Sequence, residues 1–164
     1  MEDEKQKGFG IIETLAAIFF ISVGLLAILG MANRCLQGAN YLKMKLIASF
    51  LAQEGIETVR FVRELSPDWA DWYALISPSP TNYLVEYDDD TWQEIVSQPF
   101  SERPLKISNG AYQYSVGTNS PFYRKVTLSK PNDSDEVKIE VEIKWLDRVG
   151  WRYIRAEDRL WNWR

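Results

Sequence analysis

Glu13 is the residue of this chain whose placement asks most of its surroundings. It is the only ionisable group from Phe9 to Asn33, a run dominated by Ile, Leu, Phe and Ala. A charge at bilayer depth costs about 2.5–3.5 kcal/mol on insertion scales, so it persists only with a partner or a function. The simpler reading is a boundary carboxylate at a helix amino terminus, where the macrodipole favours negative charge. Elsewhere the equipment for catalysis is sparse. The chain has no histidine, which removes the commonest general base and every Ser-His or Cys-His pair. Its one cysteine, Cys35, excludes an intrachain disulfide and a cysteine zinc cluster, and reads as a small buried residue. No nucleophile elbow, Walker-type loop or dinucleotide fingerprint appears. The expectation is a protein that is not an enzyme.

Two acidic stretches offer oxygen ligands for calcium: Asp88-Asp89-Asp90 and the loop from Asn132 to Glu136. Neither has the spaced carboxylates of an EF-hand, so solvated turns are the simpler reading and no cofactor is required. Trp161 and Trp163 suit a sugar- or surface-binding edge, although large aromatics more often pack on a core. The net charge is −4 with Lys and Arg scattered, which gives no signal for direct nucleic-acid binding.

The elements that must position these residues follow from periodicity. Residues 1–8 form a polar leader with both charge signs. Residues 9–33 are long and apolar enough to cross a bilayer as a helix. A cleaved secretory signal would need a clearly positive start and a shorter apolar core. Residues 34–65 lack proline and keep a helical pattern. Leu36, Ile47, Phe50, Leu51, Phe61, Val62 and Leu65 fall on one side, with Lys45, Arg60 and Arg63 opposite. Lys43 and Glu54 intrude on the apolar side. Ser66-Pro67-Asp68 ends the helix, because the residue before proline is biased away from helical geometry.

Residues 66–164 read as a domain of antiparallel strands. The stretch to Pro80 is loop or a short helical turn. Tyr83 to Tyr87 is an expected strand, and Trp92 to Pro104 fits no single pattern. Leu105 to Ile107 and Tyr112 to Val116 flank the hairpin signal Asn109-Gly110. Phe122 to Leu128 is another strand. Val137, Ile139, Val141, Ile143 and Trp145 alternate with Lys138, Glu140, Glu142 and Lys144, which gives a strand with one dry face. Trp151 to Ala156 returns as the next strand, and Leu160 to Trp163 is a separate extended piece. The fold class is α+β: one long helix, apolar then amphipathic, laid on an antiparallel meander.

Lys7-Gly8-Phe9 followed by Glu13 and the apolar run resembles the amino terminus of type IV pilins and the related pseudopilins. The resemblance covers residues 5 to about 35, and the remaining chain matches in organisation only. It implies a long spine helix packed on an antiparallel sheet. It also implies cleavage between Gly8 and Phe9 by a prepilin peptidase, methylation of the new amine of Phe9, and pairing of Glu13 with that amine on a neighbouring subunit. The implied partners are other pilin subunits, the peptidase, an inner-membrane assembly platform and membrane lipid. The implied location is a single-pass membrane protein that later joins a cell-surface or periplasmic filament, its globular domain outside the cytoplasm.

Three departures bear on which member it resembles. There is no proline between Phe9 and Ser66, no carboxy-terminal disulfide loop, and Gly10 stands where many relatives have threonine. These favour a minor pilin, of the PilV type, over a main filament subunit. A pseudopilin of a type II secretion or DNA-uptake system is the alternative, and a membrane-anchored sugar-binding domain is a third.

Overall fold

The computed structural model describes residues 10–98, 100–131 and 135–162. Helix α1 runs without interruption from Ile11 to Leu65. The chain divides into two compact units, residues 1–43 and 44–164, and α1 belongs to both.

In the first unit the described residues are helix after Gly10, and their side chains are exposed. Its most apolar eighteen-residue stretch has mean hydropathy 2.6 and buries nothing, which makes α1 long and apolar enough for a single membrane span. Its hydroxyls are satisfied within the helix: Thr14 Oγ1 donates to the Ile11 carbonyl at 2.8 Å and Ser22 Oγ to that of Ile18 at 2.7 Å. Such back-bonding removes the cost of placing a hydroxyl in hydrocarbon. Cys35, expected to be buried, is exposed, because nothing in this unit packs across the helix.

The second unit holds the core. After α1 come α2 (Trp69–Leu75), β1 (Thr81–Tyr83), α3 (Trp92–Ser97), β2 (Pro104–Ser108), β3 (Ala111–Gln113), β4 (Thr118–Ser129), β5 (Glu136–Asp147) and β6 (Gly150–Trp161). All neighbouring strands are antiparallel, in the order β3-β2-β4-β5-β6. Strand β1 shares one edge of β4 with β2, pairing Tyr83 with Val126 while Pro104 pairs with Tyr123. The expected meander therefore holds for β4-β5-β6, and the β2-β3 hairpin hangs on β4 by its first strand. At its turn Asn109 and Gly110 have φ of 50° and 84°, the paired positive values that the Asn-Gly signal supplies.

The buried face of α1 overlaps the expected one only in part, sharing Leu51, Val62 and the half-buried Ile47. Ala48, Leu51, Ala52, Gly55, Ile56, Thr58, Val59 and Val62 are buried, whereas Leu36, Phe50, Phe61 and Leu65 are exposed. The reason is distance. A Cβ on Gly55 would lie 3.3 Å from Val141 Cγ1 and 3.4 Å from Arg124 Cδ, so the contact accepts small residues and would be pushed apart by large ones. Arg60 and Arg63, expected to face away, reach other elements. Arg60 Nε donates to Asp158 of β6 at 2.9 Å, and the Arg63 guanidinium lies 5.0 Å from the centre of the Trp69 ring.

Arg124 joins the layers. Its side chain is completely buried, with Nη1 on Glu54 Oε1 at 2.6 Å and on the Leu51 carbonyl at 3.3 Å, and Nη2 on the Val85 carbonyl at 2.6 Å. This explains the first strand correction. The segment expected to be strand from Tyr83 to Tyr87 leaves the sheet after Tyr83, and the Val85 carbonyl takes a side-chain donor instead of a ladder bond. The second correction is that the two pieces expected after Gly150 are one strand. The polar run Glu157-Asp158-Arg159 stays in it because Asp158 bonds Arg60 while Glu157 bridges Lys138.

A fully buried guanidinium depends on its one carboxylate. Glu54→Ala is expected to destabilise the chain by about 3 kcal/mol, because the charge left behind cannot reach water. Glu54→Gln, which keeps an oxygen acceptor, is expected to cost less than half of that. Chemical denaturation of the full chain in detergent micelles measures both, and equal losses would show that charge compensation is not what matters.

Candidate functional site

Of the three residues expected to carry function, Gly8 and Phe9 lie outside the described residues, as does the leader before them. Glu13 stands in the first turn of α1 and is exposed. Its Oε2 accepts the Gly10 backbone N–H at 3.3 Å, while the Glu13 N–H donates to the Gly10 carbonyl at 3.0 Å. The carboxylate thus caps one of the amino-terminal N–H groups that have no partner within the helix. The local geometry is that of a helix-terminal acid, and the described residues leave capacity unused. A carboxylate can accept about four hydrogen bonds, and one moderately long bond leaves most of them for another donor. In an apolar surround that remaining capacity can be met only by a cation or a second donor. No other carboxylate or cation occurs on α1 before Arg34.

The other candidate stretches have structural work. In Asp88-Asp89-Asp90 only Asp89 is buried, with its Oδ2 accepting the Glu86 N–H at 2.7 Å. Asp90 donates its backbone N–H to Glu94, which forms a capping box with Thr91 at the start of α3. Hydrogen bonds from the Asp90 backbone hold the Glu94 carboxyl below its ordinary value. Among the described residues no three His, Cys, Asp or Glu side chains gather to hold a metal ion. Of the second acidic loop, residues 132–134 lie outside the described residues.

Trp161 is half exposed on β6, and Trp163 lies outside the described residues. Among the described residues the buried tryptophans are earlier in the chain. Trp69 and Trp72 of α2, Trp92 of α3 and Tyr83 of β1 form a buried cluster with neighbouring ring centres 5.4–6.2 Å apart. This cluster joins α2, in the stretch expected to be loop or a short helical turn, to α3, in the stretch that fits no single pattern.

These parts make an apolar helix with one acid at its start, whose second portion is built into the core of an α+β domain. The architecture is pilin-like. No family model, no curated protein and no solved structure matches the chain.

Sequence reasoning missed Arg124, Tyr114 and Glu86, which link three elements through buried polar groups. The Tyr114 hydroxyl donates to the Arg124 carbonyl at 3.0 Å, and the Tyr114 N–H to Glu86 Oε1 at 3.0 Å. A signal for Arg124 existed, since it occupies an inward position between Phe122 and Val126. Next to this network, burial pushes the Asp89 carboxyl from its ordinary 3.8 up to about 6, against the Glu86 N–H bond and with help from the charges of Glu86, Glu94 and Asp88. The folded protein therefore holds this proton after the unfolded chain has released it. Its contribution to stability is full below about pH 4 and is lost as the pH rises through about 6. Asp89→Asn, whose amide oxygen can still accept the Glu86 N–H, is expected to raise the melting temperature at pH 7.5 and to change it little at pH 4. A difference between variant and parent that does not vary with pH would refute the assignment.

Proposed function

We propose that this chain is a minor subunit of a type IV pilus-like filament, structural and not an enzyme. The observation that carries this reading is α1 itself. Its first portion exposes an apolar surface with a single carboxylate in the first turn, and its last portion is part of a domain core. A helix apolar on all sides needs a non-aqueous surround, which is lipid before assembly and the helices of other subunits afterwards.

In this reading a prepilin peptidase removes residues 1–8 and the amine of Phe9 is methylated. Glu13 then meets that amine on a neighbouring subunit. The pair sets the axial register, and apolar packing supplies most of the cohesion. The domain that begins in the second half of α1 stands outside the cytoplasm, and the assembly platform in the inner membrane is the machine that adds the subunit.

Mass spectrometry after co-expression with a prepilin peptidase tests the class. The expected product has lost Met1 to Gly8 and carries a methylated Phe9, whereas an unprocessed amino terminus would sink the proposal. Glu13→Ala is expected to insert into membranes normally and to be missing from sheared filaments by immunoblot. Wild-type incorporation of that variant would remove the carboxylate from the mechanism.

A further inference from the structure

The alternation that sends Phe122, Arg124 and Val126 toward α1 sends Tyr123 and Lys125 to the opposite face of the sheet. There they meet Glu142 and Lys144 of β5 and Tyr153 of β6. Together with Asn82 and the segment from Phe100 to Arg103, these side chains enclose a cleft of about 320 Å³. That is the lower end of the roughly 300–1,000 Å³ range of small-molecule sites, which suits one ring rather than a chain of residues.

The cleft combines three kinds of surface. Phe100, Tyr123 and Tyr153 give it aromatic walls. Asn82, Lys125 and Glu142 bring donors and acceptors side by side, the mixture that vicinal hydroxyls require. Lys125 and Arg155 both bond Glu142, at 3.2 and 2.6 Å. Burial works to raise that carboxyl, but these two bonds outweigh it and hold it below its ordinary value.

The third surface is cationic. Lys144 Nζ lies 5.1 Å from the centre of the Tyr123 ring and 4.8 Å from that of Trp151, two rings that meet edge to face. Its ion-pair partner is Glu102, whose side chain is 58% exposed on the segment before β2. Three cations, Arg103, Lys125 and Lys144, face two carboxylates, Glu102 and Glu142, so the lining carries a net +1 once Arg124 is counted with Glu54. Glu102 marks where an anion sits on Lys144, and its exposed side chain can be met by water when a ligand takes the place.

We propose that this cleft binds a single sugar ring bearing a carboxylate, a hexuronic acid, with the acid on Lys144, the ring face on Tyr123 and Tyr153, and hydroxyls on Asn82 and Glu142. The exchange with Glu102 keeps Lys144 paired throughout, and its two aromatic neighbours favour a cation held there over one in water. The site is built from the sheet domain alone and is independent of the filament reading.

The test uses the full chain in zwitterionic, sugar-free detergent micelles, with sodium glucuronate as probe and glucose and acetate as comparators. Saturation-transfer NMR and tryptophan fluorescence read binding. Glucuronate is expected to bind saturably, and glucose and acetate at least about tenfold more weakly, the loss expected for one charge-assisted contact or for the ring contacts. Lys144→Gln should bring glucuronate to the level of glucose, Glu102→Gln should tighten it, and Trp161→Ala, outside the cleft, should leave it unchanged. The proposal is overturned if glucuronate shows no saturable binding, if acetate binds as tightly, or if Lys144→Gln and Glu102→Gln, checked as folded by circular dichroism, both leave it unaffected.

Discussion

A guanidinium taken out of water must find acceptors in the protein, and the position of those acceptors fixes whatever carries them. Arg124 draws on the Leu51 carbonyl and Glu54 carboxylate of α1 and on the Val85 carbonyl of the segment after β1. Its own carbonyl receives the Tyr114 hydroxyl, which ties in the chain beyond β3. Desolvating such an ion costs several kcal/mol, and the bonds from its two Nη atoms offset it while its buried Nε finds no partner among the described residues. A slip of α1 along the sheet by one turn would move Glu54 by about 5.4 Å and leave the charge uncompensated. Close packing at Gly55 narrows the registers the layers can adopt, and the arginine fixes the one at which its charge is met.

The same close contact explains why small residues, Ala48, Ala52 and Gly55, interrupt the buried stripe of α1 between Leu51, Ile56, Val59 and Val62. For the guanidinium to reach a helix carbonyl, the helix axis must approach the sheet, and Gly55, Ala48 and Ala52 permit it. Large residues off that contact are left outside, with Phe50 and Phe61 at least half exposed. Thus α1 has exposed apolar side chains in both portions for two different reasons. In its first portion no described residue is buried, and in its second the domain covers one side of the helix and leaves Leu46, Phe50, Phe61 and Leu65 on the other.

This division also decides how much could be read in advance. The helix was legible because nothing breaks it before Pro67, and β5 because its alternation is strict. Glu54 stood out as a carboxylate on the apolar side of the helix, yet its meaning lay in Arg124, seventy positions away, which breaks the alternation of β4 in the same manner. Each misfit is the other's partner, and a local pattern cannot pair them. The helical wheel was right for Leu51 and Val62 and wrong for Phe50, Phe61 and Leu65, because it ranks positions by hydrophobicity and cannot see where the closest approach needs Ala48, Ala52 and Gly55. The end of β1 was hidden because Leu84, Val85 and Glu86 are all buried, so the chain there has no exposed face to alternate with.

Glu13 poses the opposite problem to Arg124, an acid to which the described residues supply a single N–H. Two unit charges 4 Å apart attract by about 1 kcal/mol in water and about 4 kcal/mol at an effective dielectric of about 20. The second value is close to the roughly 2.5–3.5 kcal/mol cost of a charge at membrane depth, and the first falls well short of it. A carboxylate in that position is therefore tolerated by a lone inserted helix and favoured only where a cation meets it in a dry setting. In the proposed filament, that asymmetry would let a subunit wait in the bilayer without committing to the wrong neighbour. The apolar helix supplies attraction to any similar helix, and the acid would restrict it to the axial offset at which a positive group arrives.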